Sequence, residues 1–289
     1  LICVNLNLLL LSLNIIIKGK AIMFRIIQVL FFIFVNSTLY AADFEKTYEA
    51  YKEGNYEVAL SGFLELASEN HMKAQFYLGA MYREGKGVAQ DYLKSLEWYQ
   101  KAAEHGEPKA QHNVALFYQN GLSINRDINK AIDWYIKAAN QDYVPSQINI
   151  AKIYYGGDGV EKNIKEAITW WEKAANLGSK GAQHNLGLMY FLGEGVEQDF
   201  SKAIEWYLSA AKQGSKEAQN SLGFMYFEGK GVSKDLVEAY AWFQLAASAD
   251  YDQAKLNSSI VEANLNSAEM QKAKERAEQY LTNYPSAKE

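Results

Sequence analysis

The chain repeats itself at a fixed interval. Five copies of 36 residues follow one another without insertion or deletion, at residues 74–109, 110–145, 146–181, 182–217 and 218–253. A fixed period of this length is typical of proteins built by stacking one small structural unit. A single unit cannot bury its own apolar face, so its neighbours have to cover it. The repetition therefore predicts a solenoid rather than an ordinary globular domain.

Several positions of the repeat carry the same residue in all five copies, and four of them are polar, aromatic or glycine. Counted from the first residue of each copy, they are Gln at position 2, Tyr at position 9, Gly at position 12 and Trp at position 25. The glutamines are Gln75, Gln111, Gln147, Gln183 and Gln219, and the tryptophans are Trp98, Trp134, Trp170, Trp206 and Trp242. Because a buried polar group has to be hydrogen-bonded, the glutamine predicts a bond from one repeat to the next. The tryptophan predicts a residue of the packed core.

Each copy predicts two antiparallel helices. Small and apolar residues recur three and four apart in both halves, as in Ala182 and Leu186 and again in Ala203 and Ala210. Between the halves stands Gly-x-Gly-Val-x-x-Asp in three copies, for example at residues 193–199. Glycine can take the left-handed conformation that ends a helix, and aspartate can cap the start of the next one. The predicted fold class is all-α, a right-handed α/α superhelix (solenoid) of antiparallel helix pairs.

The repeat resembles a known family. The string Ala-Gln-x-x-Leu-Gly-x-Met-Tyr-x-x-Gly-x-Gly-Val, followed by Asp, Ala, Trp-Tyr and Ala-Ala, is similar to the Sel-one-like repeat (SLR), a relative of the tetratricopeptide repeat (TPR). The second copy departs most from this pattern, because Ala115, Ser123 and Asp142 stand where glycine is usual. We expect the turn of the second copy to be shaped differently from the others.

Two shorter stretches are predicted to close the ends of the array. Residues 42–73 follow the TPR pattern without the long SLR turn, so we expect a tightly joined capping hairpin. Residues 254–289 are predicted to form capping helices, with a polar run from Ser267 in which Arg276 faces water. A terminal unit needs a polar outer face, and this run supplies one.

Residues 23–41 have the layout of a secretory signal peptide. Arg25 supplies the positive charge, residues 26–35 form an apolar core, and a cleavage site precedes Ala42. We therefore expect residues 1–22 to be an over-called extension of the reading frame and the mature chain to be periplasmic or secreted. The alternative is an uncleaved membrane anchor, for which the apolar core is short.

The charge argues against nucleic acid as a partner. The first 41 residues hold three of the 29 lysines and arginines and none of the 34 aspartates and glutamates, so the remainder carries a formal charge of −8. Nucleic-acid affinity is built mainly on cations that neutralise phosphates. The only cysteine, Cys3, precedes the expected mature chain, which excludes a disulfide or a cysteine-based site there.

The sequence predicts no catalytic, cofactor or metal site. Ser209 and Lys212 form a Ser-x-x-Lys pattern, but the Ser-Asp-Asn and Lys-Thr-Gly motifs of β-lactamases do not accompany it. A β-lactamase-like hydrolase is the alternative from another class, because some SLR proteins have been assigned that activity. His112 and His184 share position 3 but lie two repeats apart, roughly 20 Å at ordinary helix spacing, which is too far for one metal ion.

Position 4 of the repeat predicts a binding surface. In TPR arrays, which the repeat resembles, the first helices line a concave groove where asparagines hold the backbone of an extended peptide. Position 4 here reads Tyr77, Asn113, Asn149, Asn185 and Ser221. Flanking positions add His112, His184, Tyr155, Phe191, Phe224 and Phe227. Carboxamides can donate to and accept from a peptide backbone, but they can equally bond a neighbouring repeat and only stabilise the superhelix. The sequence leaves both interpretations open.

These features predict an exported, non-catalytic scaffold that binds a protein or peptide in its groove, as a monomer or with weak self-association. The resemblance implies two narrower roles. One is a host-interaction or entry factor of an intracellular bacterium. The other is a periplasmic scaffold for the assembly of envelope polysaccharide or peptidoglycan.

Overall fold

The computed structural model describes residues 43–284, which form fourteen helices and no β-strand. The helices are α1 (Phe44–Lys52), α2 (Tyr56–Ser68), α3 (Met72–Glu84), α4 (Tyr92–Glu104), α5 (Pro108–Asn120), α6 (Ile128–Ala139), α7 (Val144–Gly156), α8 (Ile164–Asn176), α9 (Lys180–Leu192), α10 (Phe200–Ala211), α11 (Lys216–Glu228), α12 (Leu236–Ala247), α13 (Asp252–Glu262) and α14 (Ser267–Asn283). The predicted extension and signal peptide lie outside the described residues. Within residues 43–284, every helix is too short or too polar to span a bilayer.

The chain divides after Trp98 into two compact units. In the first unit, α1 and α2 are joined by residues 53–55, where Gly54 has φ +82°. Helix α3 packs against α2. Phe63 and Met81 are fully buried between these helices. The first unit therefore builds its core from three helices in sequence.

The second unit alternates first and second helices of the repeats. Helices α5, α7, α9 and α11 are first helices, and each packs against the second helix that follows it in the chain. Helices α7, α9 and α11 also pack against the second helix of the preceding repeat. This continuous alternation is the α/α solenoid that the sequence predicts.

One aromatic ring per repeat fills the core between the helices. It comes from position 26, where Tyr135, Trp171, Tyr207 and Phe243 are at most 3% exposed. The tryptophan that precedes this ring is buried in repeats 3 and 5 (Trp170 and Trp242), as predicted. In repeats 2 and 4, Trp134 and Trp206 are only half-buried. In repeat 2, Lys137 Nζ lies 3.6 Å from the centre of the Trp134 ring. Adjacent helical residues point in different directions, so the position that follows the tryptophan, rather than the tryptophan itself, is the constant core position.

In repeats 4 and 5, glycine at position 6 makes room for this ring, whereas repeats 2 and 3 have alanine there. A Cβ atom on Gly187 would lie 2.6 Å from the ring of Tyr207, and one on Gly223 would lie 2.6 Å from the ring of Phe243. These distances are far inside van der Waals contact. The first helix therefore approaches the second this closely because it has no side chain there.

The inter-helix turn needs both of its glycines, for different reasons. Gly193 has φ +69° and ends α9 in the left-handed conformation. Gly195 has φ +77°, and a Cβ there would lie 2.6 Å from Ile164, at the start of α8 in the preceding repeat. Asp199 then caps α10, because its Oδ1 accepts from the backbone N–H of Lys202 at 3.0 Å. The predicted helix end and helix cap are both confirmed.

The turn of repeat 2 keeps the geometry of the others, so the prediction of a different shape is wrong. Ser123 adopts φ +57° and Asp142 adopts φ +59°, the left-handed values that glycine takes elsewhere. The backbone N–H of Asp127 donates to the carbonyl of Tyr118 at 2.9 Å, a bond that recurs in the other repeats. Packing of the repeat thus imposes the turn, and the two side chains are held in a strained backbone conformation.

The glutamine at position 2 joins each repeat to the helix before it. In all five copies its Nε2 donates to the carbonyl of an alanine in the preceding second helix. The pairs are Gln75–Ala67 (3.4 Å), Gln111–Ala103 (3.0 Å), Gln147–Ala139 (3.1 Å), Gln183–Ala175 (3.2 Å) and Gln219–Ala211 (3.1 Å). Each of these carbonyls also accepts from the backbone N–H three residues further on, so the glutamine adds a second donor that comes from the next repeat. The predicted bond between repeats is confirmed.

A second glutamine, at position 32, completes this network in repeats 2 and 4. Gln141 Nε2 donates to Gln111 Oε1 at 2.9 Å, and Gln213 Nε2 donates to Gln183 Oε1 at 2.8 Å. Repeat 3 has Leu177 at this position. The Oε1 atom of its Gln147 is buried, and no residue in the described part of the chain donates a hydrogen bond to it.

Helix α14 covers the end of the array. Trp242 is buried against Tyr280 and Tyr284, with ring centres 4.5 and 5.5 Å away. Glu238, in α12, accepts a hydrogen bond from the hydroxyl of Tyr280 and pairs with Arg276. The side chain of Arg276 is 43% exposed, and it also ties α14 to α12.

Candidate functional site

The first helices of the second unit present one continuous stripe of side chains. We call the side chains at positions 3, 4, 7 and 10 of repeats 2 to 5 the first-helix face. Residues three and four apart lie on the same side of a helix, so these positions form one surface. They are His112, Asn113, Leu116 and Gln119 in α5, Ile148, Asn149, Lys152 and Tyr155 in α7, His184, Asn185, Leu188 and Phe191 in α9, and Asn220, Ser221, Phe224 and Phe227 in α11. All of them are half-buried or exposed.

Asn149 bonds the neighbouring repeat. Its Nδ2 donates to the hydroxyl of Tyr135 at 3.0 Å, and that hydroxyl donates to Gln119 Oε1 at 2.5 Å. Tyr135 is fully buried, and burial raises its pKa above the ordinary value for tyrosine. The chain of bonds spans α5, α6 and α7, so it connects repeat 2 with repeat 3.

Ser221 occupies the corresponding place in repeat 5. Its partner is Tyr207, which is also at position 26 of the preceding repeat. Burial raises the pKa of Tyr207 to about 12, and the contact with Ser221 lowers it by a smaller amount. In repeats 3 and 5, position 4 therefore contacts the tyrosine at position 26 of the preceding repeat.

Asn113 and Asn185 are not tied to the preceding repeat in this way. The carboxamide of Asn113 makes no hydrogen bond to another described residue. Asn185 contacts the neighbouring ring of His184. Before Asn185, position 26 is Trp171, and its buried indole N–H has no acceptor. Both carboxamides therefore remain available on the first-helix face.

The two histidines lie between repeats. His112 Nδ1 is 2.9 Å from Ser146 Oγ, and its ring lies 5.2 Å from that of Tyr135. Burial lowers the pKa of His112 to about 4. Burial also lowers the pKa of His184, although Glu217 and Asn185 oppose the shift. Burial therefore favours the neutral form of both side chains. Among residues 43–284, no group of three His, Cys, Asp or Glu side chains could hold a metal ion.

Tyr155 belongs to a row of polar contacts along the turns. Its hydroxyl donates to Glu194 Oε2 at 3.3 Å, and Lys162 Nζ pairs with Glu194 Oε1 at 3.2 Å. Arg126 pairs with Asp158 at 2.6 Å one repeat earlier. In both cases a cation after one turn meets an acid in the turn of the next repeat.

Phe191, Phe224 and Phe227 come together at the C-terminal end of the face. The rings of Phe191 and Phe224 are 6.1 Å apart in an edge-on contact. Beside them is a recess of about 210 Å³, which we call the apolar recess. It is lined by Phe224, Phe227, Phe243, Asn257 and Ile260. The sequence did not single out Asn257 or Ile260, because both lie in α13, beyond the five copies that carry the period.

Lysines stand over the rings of this aromatic group. Lys230 Nζ lies 5.1 Å from the ring centre of Phe191 and 5.6 Å from that of Phe224. Lys234 Nζ lies 5.2 Å from the ring centre of Phe227. A cation at this distance is attracted by the ring, so both ammonium groups are held beside the apolar recess.

The Ser-x-x-Lys pattern is part of a helix surface. Ser209 is exposed in α10, and its hydroxyl donates to the carbonyl of Glu205 at 3.0 Å. A serine bonded to its own helix in this way fills an ordinary exposed helical position. Lys212 is not its partner.

The stacked helix pairs and the face described above define an α/α solenoid repeat protein. Within that class, the family model of the Sel1 repeat matches residues 73–107, 108–143, 144–179, 181–215 and 216–251. The chain therefore belongs to the Sel1 repeat family, as the sequence resemblance predicted. Sel1 repeat proteins are generally scaffolds for protein interaction, and the fold is typically non-catalytic.

Two solved structures show the same fold. A Sel1 repeat protein from Oxalobacter formigenes is 33% identical, with 71% of this chain and 85% of that chain covered and a TM-score of 0.68. A protective antigen present in uropathogenic Escherichia coli strains, which displays an SLR fold, is 30% identical with a TM-score of 0.52. That match covers 83% of this chain and 60% of the antigen, so the chain spans only part of it. No curated protein matches the chain.

Proposed function

We propose that the chain is an exported, non-catalytic scaffold that binds a protein or peptide partner along the first-helix face. The observation that carries this proposal is the aromatic group at the end of the face. Phe224 remains 37% exposed and Ile260 47% exposed, although the helices that carry them have a complete core. Large apolar side chains grouped around a recess on a surface are typical of a binding site.

The carboxamides of Asn113 and Asn185 extend this surface toward the N-terminus. Asn113 and Asn185 offer donors and acceptors that stacking of the repeats does not use, whereas Asn149 is occupied by Tyr135. An extended partner segment could pair its backbone with these groups. The proposal thus keeps two of the three asparagines as contact residues and assigns Asn149 to stability.

A paired substitution tests the contact surface. Asn113→Ala with Asn185→Ala should weaken capture of the partner from bacterial supernatant or periplasm, measured by affinity purification and quantitative mass spectrometry. The free energy of unfolding should stay within about 0.5 kcal/mol of wild type, as for other surface substitutions.

The matched control is Asn149→Ala, which leaves the Tyr135 hydroxyl without its donor. We expect it to cost about 1 kcal/mol of stability while the partner is still captured. The proposal fails if the two patterns are reversed, or if the double variant captures the same proteins in the same amounts as wild type.

We further propose that the exported chain contacts a host. The related antigen from uropathogenic strains is described as protective, which favours a protein that the host encounters over one confined to the periplasm. Expression of the full reading frame, cell fractionation and N-terminal sequencing test this part. We expect a chain that begins at Ala42 in the supernatant or on the outer surface. Retention in the periplasm with envelope enzymes would favour the polysaccharide or peptidoglycan scaffold instead.

A further inference from the structure

The row of turn contacts ends with a cation that has no acid. Repeat position 13 is Asp158 in repeat 3 and Glu194 in repeat 4, and each pairs with a cation from the preceding repeat. In repeat 5 the same position is Lys230, which forms no ion pair among the described residues. The alternation that joins the earlier turns therefore stops at the apolar recess.

In the first unit, the lysine at repeat position 13 pairs with an acid. Lys86, at position 13 of repeat 1, stands over the rings of Tyr51 and Tyr56 and pairs with Glu84 at 2.8 Å. Lys230 stands over aromatic rings in the same manner but does not pair with the corresponding Glu228. Lys234, over Phe227, also forms no ion pair with any residue in the range 43–284. Two ammonium groups thus lie beside one recess without carboxylates, on a chain whose net charge is −5.

The size of the recess limits what can fill it. Its volume of about 210 Å³ lies below the roughly 300–1,000 Å³ of small-molecule sites. It suits a single large side chain of a partner.

The geometry points to one class of partner for this part of the proposed binding face. The apolar recess takes a large apolar side chain of a partner peptide segment, and Asp or Glu residues next to that side chain pair with Lys230 and Lys234. This assignment rests on the proposed function and names the chemistry of the partner. Charge complementarity of this kind sets which segments are accepted, because an uncharged or basic flank leaves the lysines unpaired or repels them.

Selection from a random peptide library displayed on phage, with the purified chain as bait, tests the assignment directly. We expect enriched sequences to combine one Phe, Trp, Leu or Met with Asp or Glu within a few residues. Lys230→Glu with Lys234→Glu should weaken binding of a selected synthetic peptide by about tenfold or more, as expected when two complementary charges are reversed. The readout is Kd from fluorescence anisotropy.

Matched variants separate this site from general effects of charge and surface. Lys272→Glu with Lys274→Glu makes the same change of charge on the exposed side of α14 and should leave Kd within about twofold. Ile260→Ala should weaken binding about fivefold as a contact at the recess. Leu281→Ala, at a residue of nearly equal exposure on α14, should leave Kd unchanged.

Three results would overturn the assignment. The first is that the selected peptides lack acidic residues. The second is that Kd does not change when Lys230 and Lys234 are replaced with glutamate. If such peptides still lose affinity in the Asn113 and Asn185 variant, the proposed function survives and only the partner chemistry is wrong. If the library yields no binder while anionic lipid vesicles bind through the same lysines, both proposals fail and the surface is a membrane contact.

Discussion

Repeats 2 and 3 have the same backbone geometry but differ in how completely their polar groups are paired. In repeat 2, Gln111 is bonded on both sides and the hydroxyl of Tyr135 links Gln119 with Asn149. In repeat 3, Gln147 lacks a donor and the indole N–H of Trp171 lacks an acceptor. The repeat that departs most from the family pattern is therefore the better bonded one. Adherence to a repeat pattern secures the stacking geometry, while hydrogen bonding varies from one repeat to the next.

The largest effect is expected from transferring the serine of repeat 2 into repeat 3. Gly159 has φ +78°, and a Cβ there would lie 2.6 Å from Ile128, so Gly159→Ser combines backbone strain with a clash. We expect a loss of about 3 kcal/mol in the free energy of unfolding, measured by urea denaturation.

The control for this substitution is Gly178→Ala, where φ is +88° but nothing lies within 4 Å. It should cost only about 1 kcal/mol, the strain of the backbone alone. Equal losses in the two variants would show that contact with the preceding repeat contributes nothing.

Removal of one oxygen should open the network of repeat 2. Tyr135→Phe keeps the ring in the core but leaves Asn149 without its acceptor and Gln119 without its donor. We expect a loss of about 2 kcal/mol by denaturation, because half-buried polar groups lose their partners. If Asn149→Ala in the Tyr135→Phe background costs as much as it does in wild type, the bond between them does not stabilise the junction.

Lowering the pH should reduce the stability of the fold through protonation of His112 in repeat 2. Its pKa is lowered to about 4 in the folded chain, so the unfolded chain binds the proton first as the pH falls. Stability is therefore present above the unfolded pKa of about 6.5 and is lost as the pH falls from there toward 4. After allowance for partial exposure, we expect wild type to lose about 1 kcal/mol more than His112→Asn between pH 7 and pH 5. Parallel stability curves for the two proteins over this range would contradict the assignment.

The smallest effect is expected from supplying the hydrogen-bond donor that Gln147 lacks in repeat 3. Leu177→Gln places a carboxamide where Gln141 and Gln213 donate to their partners in repeats 2 and 4. It should supply the missing donor to Gln147 and stabilise the fold by about 0.5–1 kcal/mol. Leu177→Ala removes the same exposed side chain without adding a donor and serves as the control. A gain of equal size in both variants would assign the effect to loss of the leucine.

The sequence predicted those parts of the structure that depend on the period. The helix pairs, the left-handed Gly193, the Asp199 cap and the Gln–Ala bonds follow from residue types at fixed positions. The sequence did not reveal that Tyr135, rather than Trp134, is buried in the core, because both residues fit a helical pattern. It did not reveal that Ser123 would accept a glycine conformation, because neighbouring repeats impose that turn.

The candidate site was only partly accessible to the same reasoning. Asn149 and Asn185 occupy equivalent positions, but their roles depend on whether Tyr135 or Trp171 stands 14 residues earlier, on another helix. The apolar recess draws Asn257 and Ile260 from outside the period, so no comparison of copies could find them. Contacts between elements decide both features.

The glutamine of each repeat donates to the helix that precedes it, so every copy carries the side chain that links it to its predecessor. An insertion or loss of one whole block of 36 residues would consequently leave no carbonyl without its partner. The array can in this way change length upstream of repeat 5 while the recess at its far end keeps its lining. The length of the array and the lining of the recess can therefore change independently of each other.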